Sequence, residues 1–143
     1  GDGKGITRFG QTPDWLKQFN LPIPESREDA AENYRKWIDI IGFHPLLDAE
    51  DNLADILLDI AVMSGHSKAI KAIQTIVGTT VDGALGPDTL AAFALWPRTK
   101  LARYLIAWDM QYQGRVITLN PTGSAQFAAG WANRMAEHVR RLV

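Results

Sequence analysis

Residues 53–65 constrain the fold of this chain more than any other segment. Their apolar side chains recur at helical spacing, at Leu53, Ile56, Leu57 and Ile60, which predicts a helix with one apolar face. Asp55 and Asp59 lie four residues apart, so they stack on another face of the same helix. Gly65 can adopt the left-handed conformation that ends a helix, and it is predicted to do so here. The segment is therefore predicted to be a core helix whose acidic edge faces either bulk solvent or a cleft.

The remaining segments repeat the helical pattern, and sustained strand alternation is absent except for a few residues around Val116. Helix starts are predicted where a capping residue or a proline precedes an apolar period, at Thr12, Ser26, Asp51 or Asn52, Ser67 and Pro87. Asp82, Gly83 and Gly86 are predicted to form turns. Residues 120–123 are predicted to be a loop, with the last helix starting at Ser124. The sequence thus predicts an all-α fold, a compact helical domain of about seven helices.

Length and composition are those of an ordinary globular domain. With 143 residues, 46% hydrophobic and 22% charged, the chain is long enough for one core, and a single domain is predicted. Its parts are a glycine-rich opening with a short helix (1–25), central helices (26–78), and a turn followed by C-terminal helices (79–143). No apolar run reaches the roughly 18 residues that a membrane span needs. The absence of cysteine excludes disulfides and thiolate nucleophiles.

The net charge of −1 conceals an uneven distribution. Residues 1–97 carry 8 basic and 14 acidic side chains, a balance of −6, whereas residues 98–143 carry 7 basic and 2 acidic ones, a balance of +5. The split indicates either a positive surface that faces an anionic partner or an attraction between the two halves of the chain. Nucleic acid is not predicted as that partner, because the chain is mildly acidic and its last helix has few basic residues.

Several kinds of catalytic chemistry find no support in the sequence. His44, His66 and His138 lie on separate elements without ligand spacing, so they are predicted to be ordinary surface histidines, and no metal or cofactor is predicted.

Paired carboxylates remain, and glycoside hydrolysis uses such pairs. Five tryptophans and three tyrosines would suit stacking against sugar rings. Most of the tryptophans are nevertheless predicted to be core residues, because they fall on apolar helix stripes: Trp15, Trp37, Trp108 and Trp131.

Four segments of the chain, read together, carry a resemblance to a known family. They are Gly5-Ile-Thr7, Leu58-Asp59-Ile-Ala-Val-Met-Ser-Gly65, Val81-Asp-Gly-Ala-Leu-Gly-Pro-Asp-Thr-Leu90 and Phe127-Ala-Ala-Gly-Trp131-Ala-Asn-Arg134. Their order and spacing resemble the peptidoglycan-cleaving muramidases of glycoside hydrolase family 108, which include phage endolysins and proteins once called secretion activators. The D-G-x-x-G-P-x-T element also occurs in peptidoglycan-binding modules, but its combination with the aspartate helix and the terminal G-W-x-N-R is fairly specific. The resemblance covers nearly the whole chain.

The resemblance implies a lysozyme-like helical fold and cleavage of the glycan strand between N-acetylmuramic acid and N-acetylglucosamine. The family's general acid is a glutamate in an E-G-G-Y-type motif, on a helix that precedes the glycine-rich loop. This sequence begins inside that loop, so the catalytic glutamate is expected upstream of Gly1. Glu28 and Glu32 are poor substitutes, because their predicted helix places them on a solvated face. Met63 stands where the family has asparagine, so a substrate- or water-holding role at that position would be lost or moved.

The resemblance also implies a set of substrate-binding positions, which are Thr7, Asp59, Ser64, Gly65, Asn133 and Arg134. Asp59 is the carboxylate expected at the cleft, where it would orient substrate or water or hold the loop around Thr7. The alternative is that Asp59 is an ordinary helix aspartate that caps a helix or pairs with a nearby arginine. Both interpretations are open at this point.

The other implied positions have equally specific expected roles. Thr7 either contacts substrate or fixes its own loop. Ser64 and Gly65 are expected to shape the floor of the cleft through their backbone. Asn133 and Arg134 point away from the apolar stripe of the last helix, and they are expected to reach substrate or partner helices.

Two functions are consistent with this pattern. The first is the body of a peptidoglycan muramidase acting outside the cytoplasmic membrane, in the periplasm, in the extracellular wall or on a virion, with peptidoglycan glycan strands as its partner. The second is a non-catalytic peptidoglycan-binding or structural module of a phage or secretion assembly. A third interpretation makes Asp59 itself the general acid. No membrane span and no particular oligomeric state is predicted.

Overall fold

The computed structural model of the chain describes residues 7–142, apart from the side chain of Gln126. Within this range the fold is all-α, as predicted, with seven α-helices, a short 3-10 helix at His44–Leu46, and no strand. The α-helices are α1 (Pro13–Gln18), α2 (Arg27–Ile41), α3 (Asn52–Ser64), α4 (His66–Val77), α5 (Pro87–Leu95), α6 (Arg98–Leu119) and α7 (Pro121–Leu142). The glycine-rich opening at residues 1–6 lies outside the described residues. None of the helices in the described range combines the length and the hydropathy that crossing a membrane requires.

The chain divides into two compact units, Gly1–Pro45 and Leu46–Val143. The first unit contains α1 and α2, and both begin where the sequence predicts. The Thr12 hydroxyl accepts a hydrogen bond from the Trp15 N–H at the start of α1 (3.2 Å), and the Ser26 hydroxyl accepts one from the Asp29 N–H at the start of α2 (3.0 Å). The single-domain interpretation of the sequence stays a prediction.

A buried amide pair joins the segments of the first unit. Asn33 donates a hydrogen bond to the side-chain oxygen of Gln11 (2.9 Å) and another to the carbonyl of Pro22 (2.9 Å), while Gln11 donates to the carbonyl of Ala30 (2.8 Å). An aromatic cluster with ring centroids 5.4–6.3 Å apart accompanies this pair, formed by Trp15, Phe19, Tyr34 and Trp37. Only Trp37 of these is fully buried, as predicted for a core tryptophan.

The second unit is organised around α3. This helix packs against α4, α6 and α7, and α6 packs in turn against α7. The predicted apolar stripe of α3 is confirmed, because each of its members is at most 1% exposed: Leu53, Ile56, Leu57 and Ile60. Burial of four such side chains contributes several kcal/mol, about 1.5–3 for each. The acids of α3, Asp55 and Asp59, lie on the opposite edge of the helix.

The ends of α3 show both a confirmed prediction and a refinement. The Asp51 carboxylate caps the helix by accepting from the Ala54 N–H (3.0 Å), so Asp51 rather than Asn52 is the cap. Gly65 ends it with a positive φ of 93°, but its ψ of 149° is extended rather than left-handed helical. This extended step lets α4 start at once, at His66 instead of the predicted Ser67.

The predicted loop at residues 120–123 is wrong, because α7 already begins at Pro121. Only Asn120 separates α6 from α7, and its side-chain oxygen accepts from the Gly123 N–H (3.1 Å) as a helix cap does. Proline directly after a capping asparagine has the φ of a first helical residue and needs no N–H there. The residues around Val116, the one segment with some strand character, are helical within α6.

The turn between α4 and α5 is held by one buried side chain. Gln74 donates to the Asp82 carboxylate (2.8 Å), and its side-chain oxygen accepts from the N–H groups of Asp82 and Gly83 (3.0 Å each). The Asp82 carboxylate also accepts from the Ala84 N–H (2.9 Å), which holds the pKa of Asp82 below its usual value. These contacts confirm the turn-forming role predicted for this segment.

Replacing Gly83 by alanine is expected to lower the free energy of unfolding by about 1–2 kcal/mol. Gly83 has a φ of +75°, and a Cβ atom there would lie 2.5 Å from the Ser67 hydroxyl oxygen. Gly86→Ala is the matched control in the same turn, since Gly86 has a φ of −98° and open space around it. Urea denaturation followed by circular dichroism should show a change below about 0.5 kcal/mol for the control, and equal losses in the two variants would contradict the expectation.

Candidate functional site

A group of polar side chains lies where α3, α6 and α7 pack together, and we refer to it as the polar seam. Its members are Asn52, Asp59 and Ser64 of α3, Asp109 and Gln113 of α6, and Trp131, Arg134 and His138 of α7. Polar groups in a helix interface are retained only with partners, because each unpaired one costs free energy on burial. The seam is therefore the place in the second unit where polar and titratable side chains are held together by specific hydrogen bonds.

The centre of the seam is a three-residue hydrogen-bonded chain between α3 and α7. Nε2 of His138 lies 2.6 Å from Oδ2 of Asp59, and Nδ1 of His138 lies 3.1 Å from Oδ1 of Asn52. Nδ2 of Asn52 donates to the backbone carbonyl of His138 (3.1 Å), which fixes the orientation of the asparagine amide. Asp59 and Asn52 lie seven residues apart, two turns of the same helix face.

Both ring nitrogens of His138 face oxygen atoms. A carboxylate oxygen of Asp59 faces one ring nitrogen and the amide oxygen of Asn52 faces the other. Since the His138 side chain is only 7% exposed while that of Asp59 is 30% exposed, the histidine orients the carboxylate from beneath and leaves part of it accessible to solvent.

The prediction that His138 is an ordinary surface histidine is therefore wrong. His138 follows Trp131 and Met135 at helical spacing, which places it on the inner face of α7, where it is 5% exposed. His44, by contrast, is exposed and pairs with Asp39 inside the first unit. The sequence signal that could have identified His138 was its position on the same stripe as Met135.

Asp109 is the buried carboxyl of the seam. It is 2% exposed, and its Oδ2 accepts a hydrogen bond from Nε1 of Trp131 (2.9 Å). Burial raises the pKa of Asp109, the nearby Asp59 carboxylate adds to the rise, and the hydrogen bond from Trp131 and the charge of Arg134 oppose it. Oδ1 of Asp109 and Nη2 of Arg134 are buried without a hydrogen-bond partner among the described residues.

Sequence reasoning did not identify Asp109. The signal was its spacing, because Leu101, Leu105, Asp109 and Gln113 follow one another at four-residue intervals, and all four are buried. A charged residue that continues an apolar stripe is either paired in the interior or part of a site. Trp108 and Trp131 were predicted to be core residues of this unit but are only partly buried, like Trp15 of the first unit, so the prediction of a buried core tryptophan is confirmed for Trp37 alone.

The predicted site residues of the second unit are not all in the same surroundings. The Ser64 hydroxyl accepts from Gln113 (3.0 Å) at the C-terminal end of α3, next to the exposed Gly65. Arg134 lies at the α6–α7 packing beside Asp109, whereas Asn133 is exposed. Thr7 belongs to the first unit and is exposed. The substrate-binding roles of all six positions stay predictions.

Asp55 and Asp59 differ sharply although they lie on the same helix. Asp55 is exposed and pairs with Arg141 (2.5 Å) at the surface, which agrees with its interpretation as a solvated edge residue. Asp59 pairs with a buried histidine rather than with an arginine. The arginine pairing that was the alternative interpretation for Asp59 is therefore found at Asp55 instead.

No glutamate of the chain has the surroundings of a general acid with a raised pKa. Such an acid needs burial or a neighbouring negative charge, and all five glutamates are exposed: Glu25, Glu28, Glu32, Glu50 and Glu137. The expectation that Glu28 and Glu32 lie on a solvated face is confirmed. In the described part of the chain, no three His, Asp or Glu side chains are grouped so that they could hold a metal ion.

Comparisons with known proteins give one informative result. No protein-family model matches the chain, and no curated protein matches it. A solved structure described as Brucella abortus SagA is similar to it with a TM-score of 0.72 and 21% sequence identity, covering 99% of this chain and 81% of the SagA chain. At this identity the similarity establishes a shared all-α fold.

Proposed function

We propose that this chain is the body of a peptidoglycan muramidase that acts in the periplasm or the extracellular wall, where it hydrolyses the glycan strand. The observation that carries the proposal is the Asp59 carboxylate, which is oriented by the buried His138 and is still partly open to solvent. Asp59 is also the acid that matches the aspartate helix of the family 108 muramidases, and the fold shared with SagA over nearly the whole chain is consistent with this assignment.

The proposed role of Asp59 is to position substrate or a water molecule, not to donate the catalytic proton. Oδ2 of Asp59 is already hydrogen-bonded to the buried ring of His138 (2.6 Å), and a carboxylate has further lone pairs with which to accept a hydrogen bond. It can orient a sugar hydroxyl or a water O–H in the cleft, while a separate carboxylic acid protonates the glycosidic oxygen. Asp59 is not proposed as the general acid, because its side chain is 30% exposed and lacks the burial that such an acid needs.

A second candidate function is glycan binding without cleavage. It is favoured by two observations: all five glutamates are exposed, and Asp109, whose pKa is raised by burial, is only 2% exposed and therefore out of reach of a substrate. In this function the seam serves to shape a surface that retains peptidoglycan.

The test uses the chain at the full length that its gene encodes, with purified peptidoglycan as the substrate. Loss of turbidity and the appearance of new reducing ends measure cleavage, and co-sedimentation measures binding. We expect Asp59→Asn to lower the rate of clearing roughly 10–100-fold, because a misplaced substrate or water forfeits the alignment that the carboxylate provides.

Asp55→Asn is the matched control, since Asp55 lies one turn earlier on α3 and is exposed. It should clear at the rate of the unaltered chain, and circular dichroism should show that both variants are folded. Full activity of Asp59→Asn would refute the role of this carboxylate. Binding without any clearing by the unaltered chain would favour the second candidate, and neither binding nor clearing would refute both.

A further inference from the structure

Three aromatic side chains on the outer side of α6 and Trp96, two residues before this helix begins, follow one another along the chain, and we refer to these four as the aromatic row. They are Trp96, Tyr104, Trp108 and Tyr112. Tyr104, Trp108 and Tyr112 recur every four residues and therefore lie on one face of the helix, about 12 Å from first to last at a rise of 1.5 Å per residue. The row is separate from the polar seam, which occupies the buried face of the same helix.

The rings of the row are ordered by contacts with one another. Trp96 meets Tyr104 edge-on with ring centroids 5.6 Å apart, and Trp108 stacks on Tyr112 at 5.2 Å with an angle of 10° between the rings. Tyr104 is 50% exposed, and the other three rings are partly exposed. Rings that are both fixed and accessible lose little conformational entropy when a ligand stacks on them.

A lysine lies at each end of the row. Nζ of Lys100 is 5.1 Å from the centroid of Trp96, and Nζ of Lys68, on α4, is 5.4 Å from the centroid of Tyr112. The only acid of α6 is Asp109, which is buried. The outer side of α6 therefore presents aromatic surface with positive charge and without an acid of its own.

Pairing within the unit explains only part of the positive charge in residues 98–143. Arg98 is neutralised by Asp48 and Asp51, Arg140 by Glu137, and Arg141 by Asp55. Four further cations of this stretch have no ion-pair partner among the described residues. Arg134 is partly buried on α7, and the other three are exposed on α6: Lys100, Arg103 and Arg115. Attraction between the two halves of the chain therefore accounts for Arg98 and Arg141, and Arg140 is paired within its own helix. The exposed cations of α6 are available to an anionic partner.

We infer that the aromatic row binds the glycan strand of peptidoglycan, an extended anionic amino-sugar polymer. Pyranose rings present apolar C–H faces that pack on aromatic rings, and successive sugars of one strand can occupy successive rings of the row. The carboxylates of the peptide stems, or of muramic acid where a stem is absent, would meet Lys100 and Lys68 at the ends. The inference rests on the proposed function in taking peptidoglycan as the ligand, but it assigns retention of the strand to α6 and not to the seam.

The experiment measures the affinity of the folded chain for two probes. Co-sedimentation with purified peptidoglycan tests the anionic strand, and tryptophan fluorescence with hexa-N-acetylchitohexaose tests the same kind of sugar without carboxylates. We expect Tyr104→Ala combined with Trp108→Ala to weaken binding of both probes about tenfold. Lys68→Gln combined with Lys100→Gln should weaken binding to peptidoglycan about three- to tenfold at low salt and leave the neutral oligomer unaffected.

Two controls separate ring contacts from folding. Leu119→Ser changes an apolar residue of α6 that is 85% exposed and lies beyond the row, and it should bind both probes like the unaltered chain. Trp108→Phe keeps an aromatic ring and should retain most of the affinity. Circular dichroism should give all variants the helix content of the unaltered chain.

The outcomes distinguish the aromatic row from the proposed function. If the unaltered chain clears peptidoglycan and the row variants bind as well as it does, glycan binding by the aromatic row is refuted and the proposed function stands. If the unaltered chain binds peptidoglycan without clearing it and the row variants bind weakly, glycan binding by the row is supported and the muramidase proposal is refuted. If the unaltered chain binds neither probe, glycan binding by the row is refuted whatever the clearing assay gives.

Discussion

Replacing His138 by alanine is expected to lower the free energy of unfolding by about 3 kcal/mol. The ring is 5% exposed and joins α7 to two residues of α3, Asp59 and Asn52. Its removal leaves a carboxylate and an amide oxygen without their donors in a helix interface, and it also leaves a cavity of imidazole size. Urea denaturation followed by circular dichroism measures the loss directly.

The same chain offers a matched comparison. His44→Ala removes another histidine that pairs with an aspartate, Asp39, but both of these side chains are about two-thirds exposed. A surface pair of this kind contributes little, so the expected loss is below about 0.5 kcal/mol. Similar losses for His44→Ala and His138→Ala would contradict the assignment of His138 to the interior.

A double-mutant cycle isolates the contact between His138 and Asp59. If the imidazole and the carboxylate stabilise each other, His138→Ala combined with Asp59→Ala should cost less than the sum of the single changes, by about 1 kcal/mol or more. Additive losses would mean that His138 acts through packing alone. In that case the proposed orientation of Asp59 would lose its physical basis.

The local signals of the sequence predicted most helix starts and the buried face of α3. Thr12, Ser26 and Asp51 each form the cap that their residue type favours, because capping depends only on neighbours in the chain. The last helix was misplaced for the opposite reason. Asn120 and Pro121 suit both a loop and a helix start, and the capping hydrogen bond to the Gly123 N–H decides between them.

The candidate site was only half predictable from the sequence. Asp59 could be singled out because it matches a family motif, but its partner His138 lies 79 residues further along the chain. Asp109 is paired with Trp131 across another helix interface. Helical periodicity places a residue on a face of its own helix, but it does not reveal which residue faces it, since that depends on how α3, α6 and α7 pack.

Asp109 gives the second large effect, and it is a dependence on pH. Because burial holds the pKa of Asp109 above the ordinary value of 3.8 for an aspartate, the folded state binds this proton more tightly than the unfolded state does. The Asp109 carboxyl therefore contributes its full stability below a pH of 3.8, where it is protonated in both the folded and the unfolded state. The contribution is lost as the pH rises through the raised pKa of the folded state.

Asp109→Asn keeps the shape of the side chain and cannot ionise, so it should not show this loss. We expect the free energy of unfolding of Asp109→Asn to rise relative to that of the unaltered chain as the pH is raised from about 3 to 7. The other acids titrate alike in both proteins, so they do not contribute to this difference. Asp109→Ala should instead be destabilised at every pH, by about 1–3 kcal/mol, since it leaves Nε1 of Trp131 without its acceptor. A difference between Asp109→Asn and the unaltered chain that stays constant with rising pH would show that the fold does not raise the pKa of Asp109, and one that falls would show that the fold stabilises its carboxylate. The negative charge of Asp109 would then be balanced by the nearby Arg134.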